Sequence, residues 1–135
     1  SKINFIEMKK SIVFLAFLLM SVLGFAQKVE KVSSEQAKEL ISSKKIKQIV
    51  DIRSPQEFKY VGHIAKAINI YYLDPNFSTM IDKKTKPKKS ILLYCQAGLS
   101  VDDASQYFVS KGFKQIYLLE NGINDWKRHK LPIVH

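Results

Sequence analysis

The sequence predicts an α/β domain built on a mostly parallel sheet. Two observations carry this. Short apolar runs alternate with amphipathic stretches along the chain, the pattern of strands separated by helices. The run Ile91-Leu92-Leu93 is continuous rather than alternating, as expected of a strand covered on both faces. The chain has 135 residues, the length of one domain.

The elements follow in order. A first strand is predicted at Val29–Val32. Ser33 opens a helix with Gln36 three residues on as its capping-box partner, and Ala37, Leu40 and Ile41 form the apolar face. Ile46 to Ile52 reads as a second strand. Ser54-Pro55 resembles a cap with proline at the first helical position, and Gly62 ends that short helix. Ala67 to Ile70 is a third strand. Asp74-Pro75 repeats the cap-and-proline pattern and predicts a helix over 74–81. Ser90 to Tyr94 is the clearest buried strand and runs straight into Cys95. A helix from about Ser100 to Lys111 stops at Gly112, with Val101, Ala104, Tyr107 and Phe108 at helical spacing. Ile116 to Leu119 is the fifth strand, Asn121-Gly122 a turn, and Ile123 to His129 a last helix before Pro132.

Residues 1–26 read as a leader and 27–135 as the folded domain. Lys9 and Lys10 precede an apolar run from Ile12 to Leu23, and small residues, Gly24 and Ala26, stand before a break at Gln27. That is the layout of a cleavable secretory signal, so the expected location is exported, periplasmic or secreted. The run is shorter than a spanning helix of roughly 20 residues. An uncleaved segment is the one route to a membrane.

Net charge is +10, almost all from lysine, with Arg53 and Arg128 the only arginines. The densest cluster, Lys83, Lys84, Lys86, Lys88 and Lys89, lacks interleaved aromatics and a helical stripe. It reads as a solvated loop rather than a nucleic-acid surface. His63, His129 and His135 with one cysteine offer no metal-ligand spacing, and no cofactor is expected.

The chemistry centres on Cys95, the one cysteine of the chain. Strand, Cys95-Gln96-Ala97-Gly98-Leu99-Ser100, helix is the order that places a site beyond the carboxyl end of a parallel strand. A tight loop at a helix N-terminus turns backbone N–H groups inward and favours a thiolate there. Gly98 permits the angles such a ring needs. From position alone, a small buried core cysteine remains equally open.

Tyr94-Cys95-Gln96-Ala97-Gly98-Leu99-Ser100 resembles the active-site loop of rhodanese-type sulfurtransferases. Asp51-Ile52-Arg53 with Glu57-Phe58, Gly62-His63-Ile64 with Ala67-Ile68-Asn69-Ile70, and Leu119-Glu120-Asn121-Gly122-Ile123 with Trp126 are similar to three further motifs of that family, in order. The resemblance spans Val29 to Val134. It implies a three-layer α/β/α rhodanese-like fold with a five-stranded parallel sheet in the order 3-2-4-5-1. It implies Cys95 as the nucleophile that accepts sulfur as a persulfide, and Gln96, Ala97, Gly98, Leu99 and Ser100 as the loop that binds substrate. Asp51, Arg53, Glu57 and His63 become supporting residues, with Arg53 pairing Glu57 at the mouth and His63 fixing a turn. The implied partners are a small anionic sulfur donor and a thiol or cyanide acceptor, a protein partner included.

The chain departs from the pattern at three places. Ala65-Lys66 replaces proline-glycine, which loosens that turn. Asn121 replaces a glycine and is expected to take left-handed angles. The cysteine loop carries no basic residue, which leaves thiosulfate, a persulfide and a protein-bound donor all open. Related phosphatases and arsenate reductases use a longer loop closed by arginine. Val101 stands at that position here, and phosphoryl transfer would lack its charge stabilisation. A silent docking module, a sulfur carrier that hands its persulfide to one partner, and a redox sensor are the competing functions. The redox sensor lacks a resolving cysteine.

Overall fold

The structure is a computed structural model and describes residue 4, residues 7–10 and residues 26–135. The apolar run and most of the leader lie outside the described residues. Five parallel strands form one sheet: β1 (Lys28–Val32), β2 (Gln48–Asp51), β3 (Ile68–Asn69), β4 (Ile91–Tyr94) and β5 (Gln115–Leu119). Their order is β1-β5-β4-β2-β3, which is the expected 3-2-4-5-1 viewed from the other edge. Among the described residues four α-helices cover it: α1 (Ser34–Ser42), α2 (Phe77–Lys84), α3 (Val101–Ser110) and α4 (Gly122–Arg128). Among the described residues no helix is long and apolar enough to cross a membrane.

The two-residue period of a strand divides the central strand between two cores. Ile91 and Leu93 point to the side of α2 and α3, where Phe77, Ile81, Val101, Ala104 and Phe108 pack. Leu92 and Tyr94 point to the side of α1 and α4, where Ala37, Ile123 and Trp126 pack. All four β4 residues are buried, so the continuous apolar run serves both layers. Each large side chain buried this way contributes roughly 1.5–3 kcal/mol. Cys95 continues the alternation and falls on the α2/α3 side.

Local chemistry sets the element ends. Ser33 caps α1 through a capping box with Gln36. Gly112 follows α3 at φ 85°. Ser54 caps the next turn, its Oγ accepting from the Glu57 N–H at 3.2 Å. The expected α-helix there is wound as a π-helical turn over Glu57–Val61, ending at Gly62. The helix predicted over 74–81 starts later. Asp74 instead closes a turn, its carboxylate accepting from Asn76 N–H and its carbonyl from Phe77 N–H. The helix begins where buried Phe77 anchors it and runs on to Lys84. Lys83 and Lys84 therefore sit in the last turn of α2, where a helix end favours cations, and Lys86, Lys88 and Lys89 lie in the connection that follows.

Two turn expectations change. The turn at Ala65-Lys66 keeps its closing hydrogen bond, Ala67 N–H to Ile64 carbonyl at 3.0 Å, because Lys66 itself takes φ 68°. Asn121 is not left-handed: its φ is −111°, and Gly122 carries the positive angle, φ 65°.

Candidate active site

Cys95 leaves the carboxyl end of β4 and is 7% exposed. Its Sγ accepts the Gly98 N–H at 3.2 Å, so the loop curls back over the sulfur. A cleft of about 340 Å³ opens beside it, with Arg53, Glu57, Tyr72, Leu73, Leu99 and Ser100 in its wall. Gln96 and Ala97 line it too. Ser100 occupies the N-cap position of α3, but its side chain makes no cap hydrogen bond and the hydroxyl is left for the cleft.

The loop is backed from two directions. The first is the N-terminal turn of α4. Ile123 N–H donates to the Cys95 carbonyl and Asn124 N–H to the Gln96 carbonyl, both at 3.0 Å. Backbones meet here so closely that a Cβ on Gly98 would run into the Glu120 carbonyl, and one on Gly122 into the Gln96 carbonyl. Both glycines have positive φ as well. The second backing is Arg53. It does not pair with Glu57 as expected. Its Nε and Nη2 fork onto the Asp51 carboxylate, with Nη2 to Oδ2 at 2.6 Å. Nη2 also donates to the Gly62 carbonyl at 2.7 Å, and Nη1 to Gln96 Oε1 at 3.1 Å. Glu57 Oε1 instead accepts from Ser54 Oγ at 2.9 Å. The short turn through Ser54 and Pro55 folds the carboxylate back on its own cap, while Asp51, two residues before Arg53, offers the planar fork a bidentate partner.

Electrostatics follow from burial. Asp51 is 0% and Arg53 4% exposed. Burial pulls the Arg53 pKa down, yet the hydrogen bonds and charge of Asp51 outweigh it and leave the guanidinium above its ordinary value. Burial first, and the Asp51 carboxylate second, push the Tyr94 phenol far above its ordinary range. Neutral Tyr94 accepts the Ile64 N–H on its hydroxyl at 3.1 Å. Among the described residues no cluster of histidine, cysteine and carboxylates could hold a metal ion.

The remaining expected positions divide clearly. His63 lies away from the cleft. Its ring stacks on Phe58 at 3.7 Å, Nδ1 meets the Phe58 carbonyl at 3.0 Å, and its backbone bridges Val134. These contacts tie His63 to Phe58 and to the C-terminal segment. Trp126 is buried, with its indole N–H on the Pro132 carbonyl. Sequence reasoning missed Asn69, whose side-chain amide donates to the Asp51 and Arg53 carbonyls, and Asn124, which holds the Gln96 amide. It also missed the wall formed by Tyr71, Tyr72 and Leu73. These three lie one residue beyond β3, past Ile70, and the rule that sites gather beyond strand carboxyl ends marks them.

Residues 33–129 match the rhodanese-like domain family. The chain belongs to that family. It is 32% identical over 97 residues to the thiosulfate sulfurtransferase GlpE of Vibrio cholerae, across 72% of this chain and 88% of that protein. The thiosulfate sulfurtransferase GlpE of Coxiella burnetii is 32% identical over 101 residues, across 74% and 89%. In structure, a rhodanese-related protein from Thermoplasma volcanium superposes with a TM-score of 0.63 at 24% identity, covering 78% of this chain and 97% of that one. An uncharacterized protein from Saccharomyces cerevisiae does so with a TM-score of 0.63 at 28% identity, covering 78% and 99%. The rhodanese-like chain is a sulfurtransferase of the rhodanese type.

Proposed function

We propose that this sulfurtransferase carries sulfane sulfur as a persulfide on Cys95, taking it from thiosulfate or a persulfide donor and handing it to a thiol or cyanide. One observation carries the reading: a single cysteine at the carboxyl end of β4, its sulfur held by the Gly98 N–H beside an open cleft. The Cys95 thiolate attacks the outer sulfur of the donor. The donor's S–S bond breaks and its electron pair leaves with the remainder, sulfite in the case of thiosulfate. The acceptor thiolate or cyanide then attacks the outer sulfur of Cys95-S–SH and returns the thiolate. This is covalent catalysis in two displacements and requires neither metal nor cofactor. Gln96 to Ser100 would hold the charged sulfur by backbone N–H groups, and the Ser100 hydroxyl would donate to the donor, a reading supported by its place in the cleft lining. Arg53 and Asp51 support the loop from beneath, Glu57 stands in the wall, and His63 fixes a distant turn.

We propose export for the same chain, on the strength of the Lys9-Lys10 start, the Ile12 to Leu23 run and the small residues before Gln27.

The test is the intact mass of the protein after incubation with thiosulfate and, separately, with an organic persulfide. The expected result is a gain of one sulfur atom, removed by cyanide and absent in Cys95→Ser. No gain from either donor would convert the reading to a docking module on the rhodanese fold.

A further inference from the structure

The charge around Cys95 runs opposite to the charge of the chain. The whole sequence carries +10, yet Arg53 and Glu57 are the charged residues of the cleft wall among the described residues. Arg53 is already spent on Asp51, Gln96 and Gly62, and it is 4% exposed. Its charge is cancelled by the Asp51 carboxylate directly beneath. Glu57 is half-buried and is left as the uncompensated charge of the wall, close enough for its field to act on the Arg53 guanidinium. The first turn of α3 adds Asp102 and Asp103 just past the loop. Lys31 answers Asp102 at 3.4 Å, whereas Asp103 lies close enough to the wall residue Tyr72 to act on its phenol, after the larger effect of burial. Two large apolar side chains stand exposed in the same wall: Leu73 is 72% and Leu99 84% exposed.

We infer that Glu57 sets donor specificity, favouring sulfane sulfur carried on an uncharged or cationic organic persulfide and disfavouring a compact dianion such as thiosulfate. The inference rests on Cys95 as the sulfur acceptor. The N–H groups of the loop hold the one negative charge of the reacting sulfur, and a second charge on the donor meets a carboxylate in a wall whose one cation among the described residues, Arg53, is already paired with Asp51. The donor's carbon stem instead lies against Leu73 and Leu99. In the loading step the Cys95 thiolate attacks the outer sulfur of R–S–SH. The S–S bond breaks with its electron pair going to R–S⁻, and Cys95 keeps –S–SH.

The experiment measures the second-order rate of Cys95 loading, by quenched mass spectrometry at low ionic strength. The donors are cysteamine persulfide, 2-mercaptoethanol persulfide and thiosulfate. Glu57→Gln keeps an acceptor for Ser54 Oγ and removes the charge. It should raise the thiosulfate rate about fivefold, the size expected for one charge acting on a dianion across roughly 8 Å of water. The 2-mercaptoethanol persulfide rate should stay within about twofold, and the cysteamine persulfide rate should fall about two- to threefold. Glu57→Lys should extend the same trend, and added salt should flatten it. Parallel changes for all three donors, or no change for thiosulfate, would overturn the assignment of Glu57 while leaving Cys95 as acceptor. Loading by none of the donors in the unaltered protein would overturn both.

Discussion

The two sides of the cysteine loop are built on opposite principles. Behind it, every contact is fixed. Arg53 is forked onto Asp51 and tied to Gln96, and the α4 turn presses backbone on backbone at Gly98 and Gly122. In front, Leu73 and Leu99 stand free in solvent, and the Ser100 hydroxyl caps nothing. The back fixes where the sulfur is, and the front leaves room for what approaches it. A site that must receive donor and acceptor in turn gains from rigid placement and a permissive mouth.

The sharpest way to break this contrast is Arg53→Ala. It strands the Asp51 carboxylate in the core, and the expected loss is about 3–5 kcal/mol, read from the urea midpoint. A loss under about 1 kcal/mol would mean that water reaches Asp51 and the backing is soft. Gly122→Ala probes the same side through the backbone. It should cost about 1–3 kcal/mol for the left-handed angle and slow Cys95 loading about tenfold, since the Gln96 carbonyl must move. Full loading rate in that variant would show that the loop tolerates displacement. Leu99→Ser probes the front. Its melting temperature should stay within the equivalent of about 0.5 kcal/mol, while loading from a persulfide with an apolar stem falls about threefold. A destabilisation as large as that of Gly122→Ala would erase the distinction between back and front.

Much of this was legible in the sequence because the signals are local. The Ser33 and Gln36 capping box, the Gly112 stop and the β4 run each carry their reason within a few residues. The place of Cys95 between a strand and a helix was legible too, but that order left a buried core cysteine equally open, and the likeness of Tyr94 to Ser100 to the family's loop is what singled it out. What failed was partner choice across a turn. Arg53 and Glu57 stand at a spacing that suggests a pair, but the Ser54-Pro55 turn gives Glu57 to Ser54 and Arg53 to Asp51. Asp74-Pro75 read as a helix start because a cap and a proline also make a turn, and only the burial of Phe77 decides between them. The left-handed angle assigned to Asn121 belongs to Gly122, since the approach of the Gln96 carbonyl admits no side chain there. The wall of Tyr71, Tyr72 and Leu73 was marked only by its position beyond a strand end, and it takes shape only once β3 lies beside β2.

The π-helical turn at Glu57–Val61 bears on how this protein can change length. The segment starts at Arg53 and ends at Gly62, and the Arg53 side chain clasps the Gly62 carbonyl to close it. A π turn holds one residue more than an α turn. The stretch is therefore measured as well as composed. Removing one residue would let it wind as an α-helix, swing Glu57 off the cleft and pull the clasp apart. The lysine connection between α2 and β4 is clasped too, by the Gln48 side chain on the Lys86 and Lys89 carbonyls and the Lys86 N–H, but away from the cleft. A change of length there should spare the site, whereas one between Arg53 and Gly62 should not.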